Sequence, residues 1–213
     1  MGPSPALRSV RTSGHAARVF AAQPSPRIVA AAVAVGLVRR VRAGRPATGD
    51  ALAAGAVLAS RGLHEYVIHR WLLHAPRRTV RGMVIDPGVG HRAHHEDPDA
   101  LRPAFIPPAR AAAFVALLAA YVDTIGRVAG LPVATRRTAV AAAWAALLAY
   151  EWRHVVDHTS VPLRSSRTRA LRAHHRAHHY ADERRDLGIT SRAGDRVAAW
   201  LAPPVSPRGA ARR

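Results

Sequence analysis

The 213-residue chain contains no cysteine. That one absence excludes disulfides, thiolate metal sites and cysteine nucleophiles together. Lysine is absent too, so all 32 basic residues are arginine, and only 13 acidic residues oppose them. The net charge of +19 would ordinarily raise nucleic acid as a partner. Aromatic residues are scarce, however, at 5% of the chain, and none interleaves with arginine as a base-stacking surface requires. The arginines flank apolar runs instead of lining one helix face, and arginine with abundant alanine matches a GC-rich coding bias. Arginine-rich loops of a membrane protein explain the charge better, so no nucleic-acid partner is expected. Long apolar runs are also missing: none reaches the roughly 20 residues of a full membrane span.

Four shorter runs are present: Ile28–Val38, Ala51–Leu63 (interrupted by Ser60 and Arg61), Ala111–Ile125 and Ala139–Tyr150. A run of 10–14 apolar residues can equally be a buried core helix. Four of them in so short a chain point to an all-α fold, a compact integral membrane helical bundle of about four apolar helices. Residues 1–26 are rich in Arg, Pro and Ser without periodicity and read as a flexible tail, as do residues 203–213; the domain proper runs over 27–202. The first segment lacks the apolar core of a secretory signal. Arginine is densest around Arg77–Arg81 and Arg164–Arg185, which by the positive-inside rule faces that end toward the cytoplasm; Arg127, Arg136 and Arg137 argue mildly against this topology.

Histidine is what the chain has in excess: 13 residues, of which only His15 stands alone. The others cluster as His64, His69 and His74; His91, His94 and His95; His154 and His158; and His174, His175, His178 and His179. Two clusters read H-x-x-H-H. Offsets of three and four share one helix face, so each triplet can aim several imidazoles at one point. Neutral imidazole is the commonest protein ligand for transition metals. Apolar segments separate the clusters, so folding must unite them, unlike a contiguous histidine tract. The pattern predicts a histidine-walled site for two metals in a cap at one end of the bundle.

Two shorter motifs mislead. His64-Glu65-Tyr66-Val67-Ile68-His69 has one residue too many for the zinc-protease H-E-x-x-H, and a spacing of five turns the second ring off the face of the first. Glu151-Trp152-Arg153-His154 fits the E-x-x-H of ferritin-like bundles, which need a second such motif and two further glutamates. Neither is found here.

The ordered motifs resemble the fatty acid hydroxylase and sterol desaturase superfamily of membrane di-iron oxygenases, over roughly residues 60–196. Glu65 through His74 resembles its first box, E-Y-x-x-H-R-x-x-x-H. His91 to His95, with Glu96-Asp97-Pro98 and later Pro107-Pro108, resembles the second box of the fatty acid 2-hydroxylase-like branch. Tyr150 through His158 resembles the H-x-x-x-H box. His175 to His179, then Leu187-Gly188-Ile189-Thr190-Ser191 and Asp195, resembles the last box and its G-x-T-S…D tail. Any single box is weak; the ordered set is strong.

The resemblance implies ten metal ligands, namely His69, His74, His91, His94, His95, His154, His158, His175, His178 and His179. It implies two iron ions as cofactor, with zinc able to replace them in purified samples. His64 and His174 fall outside the boxes and are candidates for supporting groups, as are Glu151, Asp157, Asp97 and Asp182, which sit beside ligands. The implied activity is O2-dependent hydroxylation of a lipid C–H bond, on a fatty acyl chain by the similarity of the second box. A carotenoid ring hydroxylase, a sterol-type oxidase or desaturase, and a non-catalytic metal-binding membrane protein are the alternatives. No haem-binding domain is evident, so a separate ferredoxin- or cytochrome-type protein is expected to supply electrons.

Overall fold

The computed structural model describes residues 6–202. The chain ends expected as tails, 1–5 and 203–213, lie outside the described residues. After a single turn at Leu7–Ser9 come helices α1 (Ser13–Ala22), α2 (Pro24–Val41) and α3 (Thr48–Ile68), a π-helical segment His69–Leu73, and a hairpin of β1 (Arg78–Val80) and β2 (Met83–Ile85). Then follow α4 (Val89–Glu96), α5 (Pro108–Val128), α6 (Val133–His158), α7 (Ser166–Tyr180) and α8 (Ala193–Leu201). The all-α expectation holds apart from that two-stranded antiparallel hairpin.

Alanine-rich stretches make the long helices, and proline and glycine punctuate them. Pro24 and Pro108 occupy first turns, where a missing N–H costs no helical bond. Gly130, at φ +68°, turns the chain between α5 and α6, a conformation that side chains with a Cβ resist. α6 is the central element: α2, α3 and α5 all pack on it. Gly36 of α2 lets this packing close up, since a Cβ there would lie 3.1 Å from Ala141 and Trp144 of α6. Trp144 Nε1 donates to the Val115 carbonyl of α5 at 2.9 Å, satisfying the one polar atom of a buried indole.

Two expectations need correction. The described part of residues 1–26 is not a flexible tail. Thr12 caps α1 by accepting from His15 N, α2 already starts at Pro24, and Leu7, Val10 and Ala16 are buried. Leu7 packs on Ala104, Phe105 and Val155, and Val10 and Ala16 on Val161, so this segment straps the end of α6. An alanine-rich single-faced helix leaves little periodicity to read. Nor are there four apolar spans. Among the described residues only α5 is long and apolar enough to cross a membrane; α1 and α2 pass together only as a pair bent by 85°. Charges interrupt the others: Asp50, Arg61 and Glu65 in α3, and Arg136, Arg137, Glu151 and Arg153 in α6.

Candidate metal centre

The C-terminal ends of α3 and α6 lie beside α4 and α7, and ten imidazoles meet there. They form two groups of five: His69, His74, His91, His95 and His178 in the first, and His94, His154, His158, His175 and His179 in the second. Within each group one ring nitrogen from every residue lies within 4.8 Å of the others. These are the ten residues that the resemblance implies, brought together by folding from four elements: the π segment with its end, α4, α6 and α7.

The H-x-x-H-H triplets are divided in a crossed manner. α4 gives its i, i+4 pair His91 and His95 to the first group and His94 to the second; α7 gives His175 and His179 to the second and His178 to the first. The remaining members come as pairs: His154 and His158, one turn apart on α6, and His69 and His74, five apart. An α-helix would point that last pair in different directions. The π turn solves this, because His74 N bonds the His69 carbonyl, an i→i+5 bond at 3.1 Å. The two groups touch where His95 and His179 stack with centroids 4.2 Å apart.

Ring-nitrogen spacing fits a central cation. In the first group Nε2 of His69 lies 2.9 Å from Nε2 of His91, which is 3.1 Å from those of His74 and His95; His178 lies 3.2 and 3.1 Å from the latter two. In the second, His158 lies 3.0 Å from His94 and 2.9 Å from His175, itself 3.2 Å from His179. Nitrogens about 2.1 Å from one ion and at right angles are about 3 Å apart. Proton placement agrees. His69 Nδ1 meets the Leu187 carbonyl at 2.6 Å, His178 Nδ1 that of Arg185 at 2.8 Å, and His154 Nδ1 that of Ala104 at 3.1 Å. A carbonyl only accepts, so each Nδ1 carries the hydrogen and each Nε2 turns a lone pair inward. His154 Nε2 is buried with no partner at all. Converging lone pairs repel unless a cation lies between them.

Charge state points the same way. Burial, reinforced by neighbouring imidazoles, pushes His74 down to about 4 and His95 to about 3, and lowers His91, His94, His175 and His179 as well. Rings that stay neutral at pH 7 keep the lone pairs that metals require. A cleft of about 450 Å³ between Arg70, Trp71 and His74 on one side and Glu183 and Arg184 on the other leads to the first group.

The candidate supporting carboxylates do not touch these rings. Glu151 accepts from Ser25 Oγ and Ile106 N, and Asp157 pairs with Arg153. Asp97 and Asp182 accept from the nearby Asp99 and Arg184 amides. Backbone carbonyls orient the imidazoles instead. His64 stands apart, donating to the Ser60 carbonyl at 3.0 Å and accepting from Tyr121 O–H at 3.1 Å. His174 is held between Asp186 and Asp195 at 2.9 and 3.1 Å.

What sequence reasoning missed is the device that delivers two of those carbonyls. Glu65, buried on α3, accepts from Ile189 N, Thr190 N and Thr190 Oγ1; Asp195 accepts from Leu187 N and Gly188 N at 2.8 and 2.9 Å. Together they pin the loop whose Leu187 and Arg185 carbonyls fix His69 and His178. Gly188 is required there, since a Cβ would lie 2.1 Å from the Ser191 carbonyl. A glutamate interrupting the apolar run of α3 was the available signal.

Comparison with known proteins reaches the same region. The fatty acid hydroxylase family pattern matches residues 54–199. Fatty acid 2-hydroxylase of Homo sapiens is 30% identical over 143 residues, and that of Macaca fascicularis 31%. Each alignment takes in 66% of this chain but only 37% of the relative, so the chain spans little more than a third of their length. A solved structure of full-length Scs7p, in which only the hydroxylase domain is visible, superimposes with a TM-score of 0.64 at 22% identity, covering 86% of this chain and 67% of that one. That likeness is one of fold.

Proposed function

Because this chain belongs to the fatty acid hydroxylase family, we propose that it is a membrane-bound di-iron oxygenase that hydroxylates a C–H bond of a fatty acyl chain. The observation that carries the reading is the pair of five-imidazole groups. In the proposal all ten histidines are ligands, five to each iron. Bound iron would supply the O2-activating chemistry that acid–base side chains lack. The overall reaction balances as R–H + O2 + 2 e− + 2 H+ → R–OH + H2O, the electrons coming from a separate ferredoxin- or cytochrome-type protein.

The chain's own residues hold and orient. Nδ1–H bonds to the Leu187, Arg185 and Ala104 carbonyls fix three rings, so their lone pairs need not reorganise when metal binds. Through the crossing of His94 and His178, both α4 and α7 would hold each bound ion. Water is limited around the second group, four of whose five rings are buried. Substrate has easier access to the first, three of whose rings are partly exposed.

The membrane reading places α5 across the bilayer, with apolar faces of α2 and α3 turned to lipid beside it. It is supported by the exposed Val35 and Leu37 on α2, Leu52 and Leu63 on α3, and Leu117 and Ile125 on α5, which water would penalise. The histidine end is assigned to the cytoplasm from its arginine density. The other end carries fewer arginines, namely Arg39, Arg40, Arg42, Arg45, Arg127, Arg136 and Arg137.

The test is metal analysis of detergent-purified protein, followed by turnover with iron, a reductant and 18O2 on membranes of known acyl composition. About two metals per chain and an 18O-labelled hydroxyacyl product are expected. Two bound metals with no hydroxylated lipid despite a working donor would favour a metal-binding protein, and a hydroxylated carotenoid would move the chain to the ring-hydroxylase branch.

A further inference from the structure

The hairpin between the π segment and α4 has no use in the metal site, and it is built unlike the rest of the cap. All six of its strand residues are exposed. Its register pairs Arg78 with Ile85 and Val80 with Met83, so by strand alternation these four side chains share one face. Val80, Met83 and Ile85 on that face are 47, 67 and 46% exposed. A two-residue turn of Arg81 and Gly82, both at positive φ, closes it tightly. Arg77, Arg78 and Arg81 surround this apolar face, and no carboxylate among the described residues pairs with any of them. An isolated two-stranded hairpin is marginal in water, and one with bare valine, methionine and isoleucine is an aggregation hazard.

Its position suggests what covers it. Arg110, in the first turn of α5, donates to the Pro87 carbonyl just after β2 at 2.9 Å. α5 is the helix long and apolar enough to cross a membrane. The hairpin is therefore tied to the end of that span, at the level where headgroups would lie. Trp71, 57% exposed, stands on the neighbouring π turn and lines the cleft that leads to His74. Apolar side chains ringed by unpaired arginine, with a nearby tryptophan, match an interfacial surface in contact with anionic lipid.

We propose that the Arg78–Ile85 hairpin is an interfacial anchor that dips into an anionic leaflet beside the mouth of the first histidine group, so that acyl chains enter that cleft from the lipid. The inference rests on the membrane reading above, and its test separates the two. The chain has no cysteine, so Met83→Cys and Leu117→Cys each give one unique labelling site. Each full-length variant is labelled with an environment-sensitive dye in nanodiscs of phosphatidylcholine with or without phosphatidylglycerol. Quenching by brominated lipid is compared with quenching by aqueous iodide.

The expected result at position 83 is lipid quenching by headgroup-proximal bromines, with iodide quenching several-fold below that of the free dye. Phosphatidylglycerol should strengthen it, and replacing Arg77, Arg78 and Arg81 by Gln should remove that lipid dependence without changing bound metal. Iodide quenching at 83 with lipid quenching at 117 overturns the anchor and leaves the membrane reading standing. Protection of 83 from both quenchers means that protein covers the hairpin, which also overturns it. Iodide quenching at both positions removes the membrane reading and the anchor together.

Discussion

The two histidine groups use the same donor atoms in equal number, but they are held differently. The second is built on α4, α6 and α7, with four rings buried and His154 set by the Ala104 carbonyl. The first hangs partly on a π turn and on a loop, with His74, His91 and His95 only half-buried and a cleft at His74. Its His69 and His178 owe their orientation to carbonyls of a single loop, held by Glu65 and Asp195. Regular helices give the second group rigidity; the first depends on parts that can move. On the proposed reading, substrate and electrons would reach the first group, and the second would retain its metal longer.

The largest expected effect breaks the comparison from both sides. His94→Ala and His178→Ala each remove the one residue that crosses between helix systems. Bound metal should fall from about two to about one per chain in each variant, and turnover below detection, as read by metal analysis and product mass spectrometry. Full metal content in either variant would remove that histidine from the ligand set.

Glu65→Ala should separate the groups. It leaves the Ile189 and Thr190 amides without their acceptor, and each buried orphan costs about 1–3 kcal/mol. Freed from its clamp, the loop should weaken the first group's metal by about 10–100-fold, the usual effect of losing an outer support. The second group's metal should be unaffected, and Glu65→Gln, which keeps one acceptor oxygen, should recover part of the loss. Titration with limiting iron checks this; equal weakening of both metals would mean that Glu65 acts on the whole fold.

Chelation offers a smaller contrast in the unaltered protein. One equivalent of metal should leave quickly through the cleft at His74 and the other slowly. In Glu65→Ala only the fast phase should quicken. A single phase for both ions would show that the difference in exposure has no kinetic consequence.

Much of this site was legible in the sequence, for a definite reason. Spacings of three and four encode a shared helix face, so the two triplets and the His154–His158 pair could be read without coordinates. The supports were not legible because they are backbone carbonyls: Leu187, Arg185 and Ala104 act through atoms that every residue possesses. Choosing the nearest carboxylates as supports therefore failed for Glu151 and Asp157, which hold Ser25 and arginine instead. The apolar runs overstate the bundle, because charges flank them once each helix reaches its full length. The N-terminal segment hides its helix from the sequence because α1 is built mostly of small residues.

The smallest predicted effect bears on the backbone itself. His64 precedes His69 by five residues, just as His69 precedes His74. Between the first two the chain is α-helical, and five residues at 3.6 per turn leave the rings about 140° apart. Between the second two the π turn brings both rings into one group. Identical spacing thus leaves one histidine outside the two groups in one case and unites a pair within one group in the other, and only the hydrogen-bond register differs. His64→Ala should accordingly leave two metals bound, as should His15→Ala on α1, whereas His74→Ala should lose one. Metal analysis of the three variants side by side decides the matter: loss of metal from His64→Ala would mean that His64 reaches the site too and that the π turn does not select among these histidines.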